Sequence, residues 1–184
     1  ETDERMMIRL AAMALQAHQL QAICGGDGTL AFGAGLSDPD DPDVYLRDYT
    51  QATRLWIEVG APEEKPIMRA CGKSDLVMVY CFNHAAEVWF KAIENKVSRA
   101  KNLQIWRVPT LQSQELAKLA NRSMQLQATI QEGSLMLSDG STTVDLPDDL
   151  YWSDELAWTP VQQSVERSIT GALIVQSGLR VGGR

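Results

Sequence analysis

Leu76 to Phe82 reads LVMVYCF, seven apolar residues in unbroken succession, and no other stretch of the chain restricts the fold as strongly. A strand-length run without a polar face is the pattern of a central strand covered on both sides, so other elements must pack above and below it. The neighbouring segments can supply them. Arg54 to Gly60 (RLWIEVG) carries β-branched and aromatic residues up to a Gly-Ala-Pro break, as a buried strand does. Pro62 suits the first turn of a short helix over Glu63 to Cys71. Ala85 to Ala100 reads as a helix with Val88, Trp89, Ala92 and Val97 on its buried side; Leu103 to Val108 (LQIWRV) follows as a strand and Gln112 to Arg122 as a helix. This alternation predicts an α/β layer with at least two adjacent parallel strands.

On the N-terminal side, Met6, Leu10, Met13, Ala14, Ala17 and Leu20 recur at three- and four-residue steps from Asp3 to about Gln21. Such spacing builds one apolar stripe on a helix roughly 28 Å long. Gly25-Gly26-Asp27-Gly28 ends it, Thr29 to Gly35 reads as a short strand, and Ser37 to Asp43 forms an acidic turn. Beyond Ser123, apolar and polar residues alternate around Glu132-Gly133 and Asp139-Gly140, which are hairpin turns. The expected architecture is therefore α/β (α+β-like): one domain over residues 1–146 with a central mixed sheet flanked by helices and a C-terminal β hairpin region. Residues 147–184 form an appended tail, with a helix expected over Val161 to Leu173.

A chain of 184 residues, 45% apolar, can bury a core of this size. With 17 basic against 24 acidic residues its formal charge is -7, so no sequence-wide attraction draws it to a polyanion. Contact with nucleic acid would need a local patch or a bridging metal ion. Cys24, Cys71 and Cys81 are an odd set without CxxC spacing, the usage of reduced, buried cysteines in a cytoplasmic protein. No stretch is apolar enough to span a bilayer. Met6 to Ile23 comes nearest but is interrupted by Arg9, Gln16, His18, Gln19 and Gln21, and the acidic leader Glu1 to Glu4 has the wrong charge for a signal peptide. The chain enters its first helix at once, and a further segment upstream is expected.

The chemistry points to acids. Glu4 lies on the first helix, Asp43 closes the acidic turn, and Glu58 sits within RLWIEVG, sharing a strand face with Trp56 and Gly60. An ionised Glu there is costly unless it is paired or bound to a cation. A hard cation such as Mg²⁺ is held by one or two carboxylates together with substrate phosphate oxygens. Pro42-Asp43, followed fifteen residues later by Glu58, fits the first two elements of a PD-(D/E)XK nuclease motif. The third element, a Lys two residues after the strand acid, is Gly60 here, leaving Lys73 or Lys65 as replacements. Alternatively the acids are solvated and Glu58 pairs with an Arg such as Arg54 or Arg69. Gly25-Gly26-Asp27-Gly28-Thr29 resembles the GGDGT loop of diacylglycerol and NAD kinases, but no further glycine loop accompanies it, and helix termination explains the residues more simply. His18 has no acid or Cys at ligand spacing, and His84, near Cys81, Asn83 and Glu87, follows a strand end that does not ensure that a Cys-His pair points together.

Across ETDERMMIRLAAMAL, GLSDPDDPDVY, LWIEVGAPEEKPIMRACGKSDLVMVY, AAEVWF, KNLQIWRVP and LAKLANRSMQLQATIQEG, the chain resembles the YaeQ family of small bacterial proteins, in order, from Glu1 to about Leu146. That resemblance implies a compact variant of the PD-(D/E)XK nuclease-like fold. It places the family's helix acid on Glu4, its Pro-Asp acid on Asp43 and its strand acid on Glu58, as ligands for Mg²⁺. The family commonly has Gly-Gln where this chain has Gly60-Ala61, so the possible stand-in for the motif Lys is also replaced. Two functions are expected from these residues. One is a divergent Mg²⁺-dependent phosphodiesterase acting on nucleic acid, with Asp43, Glu58 and Lys73 catalytic. The other is an inactive nuclease-like fold retained as an interaction or regulatory module.

Overall fold

The structure, a computed structural model, describes residues 1–34, 40–147, 150 and, for the backbone alone, 171–177. Strands β1 (Gly28–Phe32), β2 (Val44–Asp48), β3 (Thr53–Val59), β4 (Leu76–Phe82) and β5 (Leu103–Val108) form a sheet in that order. β1, β2 and β3 pair antiparallel, while β3, β4 and β5 pair in parallel. The expected mixed sheet is thus formed, with the LVMVYCF run between two parallel neighbours and Val77 to Cys81 buried. β2 was not anticipated; its VYLRD sequence alternates buried and half-buried positions beside the acidic turn.

Helices α3 (Glu64–Lys73) and α4 (Ala86–Val97) join two of the parallel crossovers and cover one face of this sheet. Ile67, Ala70, Ile93 and Val97 pack there against Trp56, Val77, Val79 and Ile105. The buried side of α4 differs from expectation. Ala86, Ile93 and Val97 face inward, whereas Val88 is 73% exposed and Ala92 is also exposed. Trp89 reaches the inner side from the rim, donating its indole N–H to Pro62 O at 2.8 Å.

The opposite face holds α1 (Asp3–Leu15), with α5 (Thr110–Lys118) beside it. Thr2 caps α1 by accepting from Arg5 N, and Asp3 and Glu4 complement the positive end of its dipole. A second, antiparallel sheet contains β6 (Met124–Gln131), β7 (Ser134–Ser138), β8 (Thr143–Leu146) and β9 (Gly171–Ser177), in the order β8-β7-β6-β9. Leu126, Leu135, Leu137, Val144 and Leu146 belong to the same core as Met7, Ile8, Leu10, Ala11 and the β2–β3 residues Val44, Leu46, Leu55 and Ile57. α1 is therefore enclosed between two sheets. This explains why it buries Met7, Ile8, Leu10, Ala11, Ala12, Ala14 and Leu15 almost all round, instead of the narrow expected stripe, and leaves Met6 and Met13 only partly covered.

The first helix is also shorter than expected. It stops at Leu15, and a tight turn leads to α2 (Gln19–Cys24). Gln16 turns inward at the break, donating to Tyr80 Oη at 2.9 Å, while His18 Nδ1 lies 3.0 Å from Leu15 O. Gly25, at φ 60°, ends α2, and Gly26 N donates back to Leu20 O, so GGDGT is a helix stop leading into β1. Most of the helix expected over Val161 to Leu173 lies outside the described residues. Its last residues, 171–173, are in strand β9, which pairs with β6.

Candidate functional site

The acidic turn feeds directly into β2, and its last residue, Asp43, lies at the end of the sheet beside the C-terminal end of β3. Asp43 N donates to Ile57 O at 2.9 Å, and the Asp43 carboxylate accepts from Val59 N at 2.7 Å. These bonds fix a side chain that is only 2% exposed. One turn of α1 approaches the same place. Arg5 Nη2 lies 2.7 Å from both Asp43 oxygens, and Arg5 Nε donates to Val59 O at 3.2 Å. One turn further along, Arg9 Nη2 donates to Gly33 O and Asp43 O, and Arg9 Nε stands 3.6 Å from Asp43 Oδ1.

Glu58 completes the group. The Trp56 indole, on the same strand face, donates to Glu58 Oε1 at 2.7 Å. Asp43 is close enough to act on the Glu58 carboxyl, favouring its protonated form. Burial is the main cause that pushes the Glu58 carboxyl up. The Trp56 hydrogen bond opposes it, the Asp43 charge adds to it, and the Arg5 charge opposes it, leaving Glu58 at about 7. The arrangement is thus one carboxylate gripped by arginine and one carboxyl that gains and loses its proton near neutrality.

Two of the three expected metal ligands are brought together. Glu4 is not beside them: Ser113 Oγ of α5 donates to Glu4 Oε1 at 2.6 Å, which fastens α1 to α5. Among the described residues no group of three or more His, Cys, Asp or Glu side chains is placed to hold a metal ion. Neither arginine considered as a partner for Glu58 is paired with it. Arg54 bonds Asp48 and Asp75, and Arg69 pairs with Asp40. The hydroxyl of Thr50, followed by Arg54 and the backbone at Thr50 and Ala52, holds the Asp48 carboxyl down at about 2. Lys73 lies 5.9 Å from the centroid of the Trp56 ring, and Lys65 is exposed on α3. His84 is exposed, Cys81 is buried with Sγ 3.3 Å from Trp106 O, and Cys24 and Cys71 are half-buried free thiols.

The arginines were the residues that sequence reasoning missed. Arg9 carried a signal, because a charge inside the apolar segment Met6 to Leu15 must find a partner once that helix is buried.

The missing lysine has a backbone explanation. Gly60 adopts φ 123°, a region that side chains rarely enter, and its N–H donates to Tyr80 O at 2.9 Å. A Cβ there would meet nothing within 4 Å, so the constraint is conformational and not steric crowding. Gly60→Ala and Gly60→Lys should therefore lose the same stability, about 1–2 kcal/mol. Denaturant unfolding measures it; a loss confined to the lysine variant would contradict the backbone explanation.

A family model described as YaeQ protein matches residues 1–147. The chain belongs to the YaeQ family. It is 37% identical over 147 residues to the uncharacterized protein YaeQ of Salmonella typhi, covering 79% of this chain and 76% of that one. Its identity to the YaeQ protein of Escherichia coli K12 is 35% over the same shares. Two crystal structures share the fold. The YaeQ protein of Xanthomonas axonopodis pv. citri superposes with a TM-score of 0.70 at 36% identity, over 79% of this chain and 78% of that one. The YaeQ protein of Pseudomonas syringae gives 0.72 at 26% identity, over 85% and 82%. Membership thus fixes the mixed α/β architecture of the matched region, and no helix among the described residues is long and apolar enough to cross a membrane.

Proposed function

We propose that this YaeQ-family chain is a nuclease-like domain whose acidic corner serves binding or regulation in place of hydrolysis. The observation that carries this reading is the approach of Arg5 Nη2 to both Asp43 oxygens at 2.7 Å. Both Asp43 oxygens are occupied by donors, Val59 N included, at the place where a cation would need them. The guanidinium supplies the positive charge that a divalent ion would otherwise bring, and a proton on Glu58 relieves the second carboxyl. Gly60 carries no side chain to position an attacking water.

A second reading, a Mg²⁺-dependent phosphodiesterase acting on nucleic acid, draws support from the electrostatic coupling of Asp43 and Glu58 at one end of the sheet. Two carboxylates can hold Mg²⁺ when waters and substrate phosphate complete its shell, provided that Arg5 swings aside and Glu58 is ionised. Such an ion would stabilise charge developing at phosphorus, and Lys73, beyond the Trp56 indole, would have to move to take part. Glu4 would join only by releasing Ser113.

Calorimetric titration of Mg²⁺ and Mn²⁺ at pH 8, with cleavage assays on single-stranded and duplex substrates, separates the two. The first reading expects no saturable uptake at millimolar concentrations, on the order of a Kd of 1 mM or weaker, and no cleavage. Uptake that vanishes in Glu58→Ala, together with cleavage, would replace it by the second.

A further inference from the structure

We propose that Arg5 and Arg9 form a clamp for a phosphate group, and that the carboxylate of Glu1 occupies its seat in the present structure. Glu1 Oε1 accepts from Arg5 Nη1 and from Arg9 Nη1, each at 2.9 Å, and Arg9 Nη1 lies 2.9 Å from Glu1 Oε2 as well. Two guanidinium groups thus converge on one small oxyanion, an arrangement that takes the oxygens of a phosphate equally well.

The clamp is anchored from behind by groups other than Glu1. Arg5 is held by Asp43 and Val59 O, and Arg9 by Gly33 O, Asp43 O and the Phe32 ring, 5.5 Å from its guanidinium carbon. Both arginines therefore keep their places when Glu1 leaves. Their side chains are 15% and 10% exposed, so they are poorly hydrated and favour an anionic partner. Glu1, 25% exposed, sits on the solvent side and can be displaced.

Arg9 Nε, a buried side-chain nitrogen without a hydrogen-bond partner, stands 3.6 Å from Asp43 Oδ1 on the inner edge of the guanidinium, so Nη1 alone is turned to the seat that Glu1 fills. Arg5 and Arg9 face Glu1 and Asp43, so among these four groups removing the Glu1 charge leaves one net positive charge, which the ionised fraction of the neighbouring Glu58 reduces. The ligand class is a phosphate monoester or a phosphodiester. The clamp requires neither a divalent cation nor hydrolysis, so it stands or falls separately from the readings above.

The test is a ³¹P NMR titration of wild type and Glu1→Gln with inorganic phosphate and, separately, with a dinucleoside monophosphate, at constant ionic strength and without divalent cations. Glu1→Gln should bind at least one of them about tenfold more tightly than wild type, and the preferred probe identifies a monoester or a diester source. Adding Arg9→Lys, which keeps the charge but loses the fork, should abolish the gain, with circular dichroism establishing that the variant is folded. If Arg9→Lys does not fold, Arg5→Lys serves in its place. Equal binding by wild type and Glu1→Gln, or a gain that survives the lysine substitution, overturns the proposal.

Discussion

Asp43→Ala should destabilise the protein by about 3–5 kcal/mol, the usual consequence of removing one partner from a buried ion pair. Two groups lose an acceptor and a third loses its neighbouring charge. Arg5 Nη2 is left without either carboxylate oxygen, Val59 N loses a 2.7 Å bond, and the Arg9 guanidinium loses its neighbouring charge. All lie where α1 meets the end of the sheet, so water cannot readily replace the lost acceptor. For a domain of this size the midpoint of thermal unfolding should fall by about 10 °C or more. Asp43→Asn should lose less, because its amide oxygen can still accept from Val59 N. A loss below about 1 kcal/mol in Asp43→Ala would mean that the arginines contribute little to stability.

Glu58→Gln should have the opposite sign, stabilising the protein at pH 8 by about 2 kcal/mol. The Glu58 carboxyl titrates at about 7 in the folded protein against 4.5 for an ordinary glutamate, so the folded state holds a proton that the unfolded state has released between those values. The sign follows from that difference. The contribution of Glu58 to stability is fully present below about 4.5 and is lost as the pH rises through about 7. The full difference corresponds to roughly 3 kcal/mol, reduced to about 2 by the partial access of water to the group. Glutamine reproduces the protonated acid, since its oxygen can accept from the Trp56 indole and its NH₂ can donate to Asp43. Wild type should therefore lose stability between pH 5 and pH 8 relative to Glu58→Gln, and the two should converge in acid. Parallel unfolding curves at the two pH values would show that the group titrates as an ordinary glutamate.

Most strands were legible because they are hydrophobic in ways that only a covered sheet permits: LVMVYCF, RLWIEVG and LQIWRV are β4, β3 and β5 almost residue for residue. β2 escaped because VYLRD is short, half polar and joined to the acidic turn, so its strand character depends on pairing with β1 and β3. α1 was placed correctly at its start, but its burial was underestimated. Its Ala and Ile positions outside the stripe meet a second sheet that is remote in sequence.

At the site, the sequence singled out Asp43 and Glu58 by a spacing of acid and strand acid that many chains share. Their charge state was not legible. It depends on Arg5 and Arg9, which the sequence places one turn apart on α1 and which only the packing of that helix across the sheet end brings to Asp43. Glu4, read as a third ligand, is turned toward α5 because Ser113, fully buried, has its hydroxyl directed at it.

This acidic corner is neutralised from within, by a guanidinium on Asp43 and a proton on Glu58. A ¹³C NMR titration of the Glu58 side-chain carboxyl, assigned by comparison with Glu58→Gln, tests it most directly. The midpoint should fall at about 7. A midpoint at or below the 4.5 of an ordinary glutamate would contradict it, because Glu58 would then carry its charge beside Asp43 throughout the neutral range.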